Sequence, residues 1–181
     1  DSVLYKYIIT DENNNVETIF KDGFGKIILI RKNDGANDID TYYVYNEYDH
    51  LAYVIPPKAV LETILDQPKL DLLCYQYRYD NRNRAIEKKL PNRGWEYYVY
   101  DLQDRLVASQ DVNMRVNNQW LFTKYDKFSR PIYTGITIGG ARITEQNAVD
   151  AKNLNIENKS TTVSFTSNGL GVYYTNTSAY P

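Results

Sequence analysis

A short phrase built around an acidic residue recurs along this sequence and constrains its fold more than any other feature. In the clearest copies a tyrosine directly precedes Asp80, Asp101 or Asp126, and an arginine follows the acid four positions later. An Asp or Asn side chain accepts a hydrogen bond from the backbone amide two residues on, which starts a tight turn. The sequence therefore predicts a tight turn at each copy of the phrase, with the carboxylate near backbone amides two or three residues on.

The residues on both sides of each acid have strand patterns. Before the first clear acid, Tyr75, Tyr77 and Tyr79 share one parity, so they would line one face of a β-strand. After the turn comes a short apolar run, such as "RAI" or "RLVA". Each phrase is therefore predicted to be a β-hairpin. The strands ending at Tyr79 and Tyr100 should pair with strands beginning near Ala85 and Leu106.

The phrase is an irregular repeat with six anchors. The position three residues after the anchor is always Gly, Asn, Asp or Ser, the residue types that tolerate or favour turn geometry with a positive φ. Positive φ is accordingly expected at Asn83, Asp104 and Gly25. Successive anchors are 11, 24, 34, 21 and 25 residues apart. The anchors are Asp11, Asp22, Asn46, Asp80, Asp101 and Asp126.

The units of the form Y-x-Y-D-x-x-(G/N/D/S)-R resemble the YD repeats of the RHS (rearrangement-hotspot) family. That family includes bacterial polymorphic-toxin shells, the insecticidal toxin-complex cocoon and the teneurins. The stretch 72–138 is similar to large secreted or surface RHS-like proteins of Bacteroidetes. Where the family has its usual turn glycine, this sequence has Asn83, Asp104 and Ser129, of which Ser129 is the poorest substitute.

The resemblance implies hairpins that wind into a shell, which encloses a toxin or forms a surface body. It implies an extracellular or cell-surface location. The implied partners are the remaining parts of the same large protein, or other strands at open sheet edges.

The predicted fold class is all-β, with antiparallel hairpin repeats forming a twisted, open sheet or shell segment. One short helix is predicted near 144–153, capped by Thr144, and a helical turn is expected around Val60 to Leu65. The whole is predicted to be one structural unit, a fragment of a larger protein. Its segments are degenerate hairpins (1–54), a proline-containing connection (55–73), repeat hairpins (74–138), and a short helix with a terminal hairpin (139–181).

Composition and rare residues argue against several functional classes. A net charge of −2 and a pI near 5.5 do not fit a nucleic-acid binder, which needs a concentrated basic face. No apolar run is long enough for a transmembrane segment. The single histidine, His50, stands where other units have the repeat arginine, so it is interpreted as a repeat variant rather than a catalytic base, and no multi-histidine metal site can be built. The single cysteine, Cys74, has no second Cys or His partner and is interpreted as a packed residue. The acids of "NDGANDID" do not match a calcium-binding EF-hand loop. We therefore predict no catalytic residue, no cofactor and no metal.

The repeated polar side chains have a structural interpretation and two functional alternatives. Structurally, the acids cap their own turns and the arginines pair with a turn acid along the neighbouring hairpin. The turn-capping residues are Asp22, Asn46, Asp80, Asp101 and Asp126, and the repeat arginines are Arg84, Arg105 and Arg130. The first alternative is a glycan-binding adhesin module that uses Trp95, Trp120 and Tyr98. The second is a glycoside hydrolase with two facing turn acids. The structural interpretation is favoured, and the protein is predicted not to be an enzyme.

Overall fold

The computed structural model describes residues 3–181, and this part of the chain holds thirteen strands and four short helices. The strands are β1 (Tyr5–Thr10), β2 (Val16–Lys21), β3 (Ile27–Asn33), β4 (Asp38–Tyr45), β5 (Leu51–Ile55), β6 (Tyr75–Tyr79), β7 (Ala85–Lys89), β8 (Trp95–Tyr100), β9 (Leu106–Gln110), β10 (Gln119–Tyr125), β11 (Pro131–Ile138), β12 (Phe165–Ser167) and β13 (Leu170–Val172). The helices are α1 (Pro57–Val60), α2 (Gln67–Leu73), α3 (Val112–Val116) and α4 (Arg142–Asp150).

An open, mostly antiparallel sheet of eleven strands dominates the fold, which confirms the predicted fold class. Strand order in the sheet follows chain order from β1 to β11. The predicted hairpins form, with Tyr79 opposite Ala85 and Tyr100 opposite Leu106. A separate hairpin, β12–β13, turns at Asn168 and Gly169, which both have positive φ. An Asn-Gly pair is the preferred sequence for such a two-residue turn.

The chain divides into two compact units, Asp1–Gly94 and Trp95–Pro181. The boundary lies inside the stretch 74–138. In the first unit, the short helices bury Ala59, Leu73 and Cys74. The second unit has a larger core, in which α4 packs against β8. Its buried members are Val99, Val107, Ala108, Trp120, Val149 and Tyr180.

The helices differ from the single one predicted. Helix α4 begins at Arg142, and its N-cap is Ala141 rather than Thr144, so the predicted cap is wrong. The side chain of Glu145 instead reaches back to accept the amide of Gly140. Helices α1, α2 and α3 were not predicted, and the expected turn at Val60 to Leu65 lies mostly between α1 and α2. Asp66 and Asp111 cap α2 and α3 by accepting backbone amides three residues on.

Candidate functional site

The six repeat turns share one backbone hydrogen-bond pattern. In the fifth turn the amide of Asp101 donates to the carbonyl of Arg105, and the amide of Asp104 donates back to the carbonyl of Asp101, both at 3.1 Å. The other five turns have the same two bonds at 2.9–3.0 Å. This is a hairpin loop closed by a bulge, and in five of the hairpins the strand register shifts next to the turn.

The third residue after each anchor has a left-handed backbone. Its φ lies between 60° and 84° in all six turns, including Asn83, Asp104 and Gly25, where positive φ was predicted. Ser129 adopts the same conformation, with φ of 60°. A side chain in this region crowds the following carbonyl, at a cost of roughly 1–2 kcal/mol that glycine avoids and Asn or Asp partly offsets.

Replacing Ser129 by glycine should therefore raise the free energy of unfolding by about 1 kcal/mol. Gly25→Ala should lower it by a similar amount. The matched control is Gly23→Ala, because Gly23 has an ordinary φ and a Cβ at either glycine meets nothing within 4 Å. Urea denaturation measures all three changes. Equal effects at Gly23 and Gly25 would contradict the role of backbone handedness.

The anchor carboxylates accept hydrogen bonds from their own turns. Asp101 Oδ1 accepts the amides of Gln103 and Arg105 at 2.9 and 3.0 Å, and Oδ2 accepts Nε and Nη2 of Arg105, each at 2.7 Å. Asp80 and Asp126 repeat this arrangement with their own arginines. The sequence predicted amides two or three residues on. The observed amides are two and four residues on, because the third amide bonds the anchor's own carbonyl.

Hydrogen bonds of this kind lower the pKa values of Asp80, Asp126 and Asp22. Burial alone would raise the pKa of Asp80, but the amide and guanidinium of Arg84 and the amide of Arg82 outweigh it. The pKa values of Asp126 and Asp22 are lowered in the same way, by their turn amides and by Arg130 and Lys26.

Acid should therefore destabilise the fold. A carboxyl group whose folded pKa lies below its unfolded value contributes stability above the unfolded pKa and loses it as the pH falls through the folded pKa. We expect no loss through these acids at neutral pH and a progressive loss below the ordinary value of 3.8. Urea midpoints measured across this range test it, with Asp80→Asn as the variant that should depend less on pH. A midpoint that does not fall in acid would contradict the expectation.

A tyrosine connects each of three turns to the preceding one. Tyr45, Tyr79 and Tyr125, each directly before an anchor, donate their hydroxyls to backbone carbonyls at 2.9, 3.0 and 2.8 Å. Each carbonyl belongs to the residue that follows the basic position of the preceding turn. In order, the acceptors are Ile27, Leu51 and Leu106.

The basic side chain of the preceding turn lies against the ring of the same tyrosine. Lys26 Nζ is 5.4 Å from the Tyr45 ring centre, and the Arg105 guanidinium is 4.8 Å from that of Tyr125. Strand register explains the meeting, since β3 and β4 pair Leu29 with Tyr42, and three more residues bring Lys26 opposite Tyr45. The tyrosine, the carbonyl and the basic residue together are termed the joint.

The joint at Tyr79 has the same arrangement without an anchor carboxylate and without an arginine or lysine. Here Asn46 is the anchor and His50 holds the basic position, with the two rings stacked at 4.7 Å. The side chain of Asn46 still accepts the amides of Tyr48 and His50 at 3.0 Å. The turn and the joint therefore form even where the anchor is an asparagine and the basic position is a histidine.

The residues predicted for glycan binding do not form a common site. Trp120 is fully buried, and its indole donates to the carbonyl of Gly140 at 3.2 Å. The prediction that Trp120 binds a glycan is therefore wrong, because its ring is part of the core. Trp95 and Tyr98 are half-buried, and Tyr98 donates its hydroxyl to Glu96 at 3.0 Å. For these two residues glycan binding stays a prediction.

The other singled-out residues have structural surroundings. Arg31 binds Asp38 and Asp40, and Asp34 caps the turn in which it lies. Cys74 is buried, and burial raises the pKa of its thiol. No helix among the described residues is both long and apolar enough to cross a membrane.

A buried ion pair in the second unit was missed from the sequence. Lys124 Nζ lies 3.2 Å from Glu157 Oε1 and 3.2 Å from the carbonyl oxygen of Ala179. Burial lowers the pKa of Lys124 in spite of its partner. Burial alone would raise the pKa of Glu157, but hydrogen bonds from Thr175, Ala179, Lys124 and Ser178 hold it below its ordinary value. Lys124 has the same strand parity as Trp120, which was the available signal that it points inward.

Comparison with known proteins supports the fold. No family model matches the chain, and no curated protein matches it. Among solved structures, the chain is similar to the crystal structure of TcdB2-TccC3-TEV, at 15% sequence identity and a TM-score of 0.50. The likeness covers 68% of this chain and only 6% of that chain. TcdB2-TccC3 is an RHS-repeat toxin complex, so the likeness agrees with the YD-repeat resemblance at the level of fold.

Proposed function

We propose that this chain is a structural segment of a larger secreted or cell-surface RHS-like protein. Its hairpins form part of a β-sheet shell that encloses a toxin or forms a surface body. The observation that carries this proposal is the joint, which forms at Tyr45, Tyr79 and Tyr125 with tyrosine–carbonyl distances of 2.8–3.0 Å. A recurring motif whose polar groups connect one hairpin to the next suits a scaffold.

The same geometry argues against an enzyme. Glycoside hydrolysis needs two carboxyl groups facing one bond, one of them available as an acid or nucleophile. The carboxylates of Asp80, Asp101 and Asp126 each accept two backbone amides and an arginine of their own turn. Carboxylates used in this way are turn caps, and the proposed function includes no catalysis.

The proposed partners are other parts of the same large protein. The similar solved structure is a multi-part toxin complex, and this chain spans only a small share of its length. The proposed location outside the cell follows from the same resemblance. The narrower similarity to proteins of Bacteroidetes stays a prediction.

Electron cryo-microscopy of the full-length polypeptide that contains this segment tests the proposal. We expect strands β1 and β11 to be flanked by further repeat hairpins in a continuous sheet. A density in which this segment stands apart as a separate domain, with both edges bare, would contradict the scaffold function. Hydrolysis of a glycan by the purified chain, lost in Asp101→Asn, would contradict the exclusion of catalysis.

A further inference from the structure

The last repeat turn exposes its basic residue. The side chains of Lys26, Arg84 and Arg105 are 23%, 15% and 10% exposed, whereas that of Arg130 is 65% exposed. Arg130 nevertheless binds its own anchor, with Nη2 at 2.6 Å from Asp126 Oδ2. The turn is therefore complete although the Arg130 side chain is mostly exposed. The part of the guanidinium that faces away from Asp126 is termed its outer side.

Lys26 shows what covers that outer side elsewhere. Its ammonium lies 5.4 Å from the ring of Phe24 in its own turn and 5.4 Å from the ring of Tyr45 in the next hairpin. It also forms an ion pair with Asp49 of the next turn. Arg130 has the equivalent of the first ring, Phe128, at 5.1 Å. The side chain of Tyr174, after β13, also hydrogen-bonds Arg130. Among the described residues, however, no tyrosine that directly precedes a repeat anchor lies against Arg130 as Tyr45 lies against Lys26.

Arg130 adjoins a cleft and a strand edge. A cleft of about 420 Å³ lies beside Arg130, lined in part by Phe128, Lys159 and Tyr174. Within the part of the chain that the structure describes, β11 pairs with β10 alone. In each joint the strand that carries the tyrosine pairs with the strand that leaves the preceding turn. For the turn of Arg130, that leaving strand is β11.

We propose that the outer edge of β11, together with Arg130 and the carbonyl of Pro131, binds another repeat hairpin whose first strand ends in Tyr-Asp or Tyr-Asn. The tyrosine ring covers the outer side of Arg130, and its hydroxyl donates to the Pro131 carbonyl, which is equivalent to those of Ile27, Leu51 and Leu106. The inference rests on the proposed function, because the occupant is a further hairpin of the same kind.

The interface can be tested with a hairpin taken from the chain itself. A peptide of residues 96–110, cyclised between its ends, keeps β8 and β9 paired, since Tyr97 lies opposite Gln110. The probe is titrated into the isotopically labelled full chain, and amide shifts are followed by NMR. We expect shifts at the amides of β11 and none at β1, the other edge of the sheet.

Variants on both partners identify the contact. A Tyr100→Ala peptide should bind at least about tenfold more weakly, through loss of the ring and the hydroxyl. Arg130→Ala in the full chain should weaken binding by about two- to fivefold, the usual range for an exposed cation–π contact. Arg130→Lys should bind normally, because Lys26 serves in a complete joint. Lys6→Ala, on β1, should change nothing.

The outcomes separate this inference from the scaffold function. Shifts confined to β1, no shifts at all, or binding unaffected by Arg130→Ala would overturn the proposed interface. None of these results would decide whether the full-length protein holds this segment in a continuous sheet, which electron cryo-microscopy tests. Conversely, a separate domain with both sheet edges bare in the full-length protein would overturn the scaffold function while leaving the hairpin titration as an independent result.

Discussion

Replacing Lys124 or Glu157 by alanine is expected to lower the free energy of unfolding of the second unit by about 3–5 kcal/mol. Both side chains are almost fully buried, at 1% and 0% exposed. Removing one leaves the other charge in the core without its partner. The desolvation cost of the remaining charge is then no longer offset by the ion pair. Glu157→Ala should cost the more, because it also strands the amides of Ser178 and Ala179.

Urea unfolding followed by tryptophan fluorescence measures this change, since both tryptophans, Trp95 and Trp120, belong to the second unit. The control is Lys32→Ala, which removes an ion pair of 3.1 Å to Glu17 whose side chains are 64% and 32% exposed. An exposed pair of this kind contributes at most about 1 kcal/mol, and here it lies in the other unit. A loss below 1 kcal/mol at Lys124 would show that the pair is hydrated in solution.

Asp101→Ala is expected to lower the free energy of unfolding by about 2–4 kcal/mol, the second-largest of the predicted effects. The carboxylate is 1% exposed, and its removal leaves two backbone amides without their acceptor and the Arg105 guanidinium without its charged partner. Asp101→Asn should cost roughly half as much, because Asn46 caps the same two amides in its own turn.

Fluorescence-detected urea unfolding again provides the measurement. Asp150→Ala is the control, because that carboxylate accepts an exposed hydrogen bond from Gln146. Its removal should lower the free energy of unfolding by less than about 1 kcal/mol. If Asp101→Asn were as damaging as Asp101→Ala, the charge rather than the amide caps would account for the stability of the turn.

The hairpins could be predicted because their determinants are local. The backbone bonds and amide caps of the turn at Asp101 lie within five consecutive residues, and the strand parity of Tyr75, Tyr77 and Tyr79 can be counted directly. The joints could not be predicted, although tyrosine recurs at the right place. The Tyr79 hydroxyl and the Leu51 carbonyl are 28 residues apart, and only the strand register brings them together.

The buried parts of the second unit depended on packing that no local pattern records. Trp120 could be taken for a surface ring because nothing in its own strand shows that α4 and the residues near Tyr180 join the same core. The partner of Lys124 is 33 residues away. Helices α2 and α3 are a different case, because each is directly preceded in the sequence by its capping residue, Asp66 or Asp111, which is a local signal.

The geometry of the joint does not depend on the number of residues between two anchors. Asn46 and Asp80 are 34 residues apart and enclose α1 and α2, yet Tyr79 reaches its carbonyl at 3.0 Å, as Tyr45 does at 2.9 Å across a spacing of 24. The inserted helices α1, α2 and α3 all lie between hairpins, away from the turns. The strand ends at the repeat turns are thus held by the hydrogen bonds of the joints, whereas the connections at the opposite strand ends can vary in length. New loops can be acquired in those connections without disturbing the repeat.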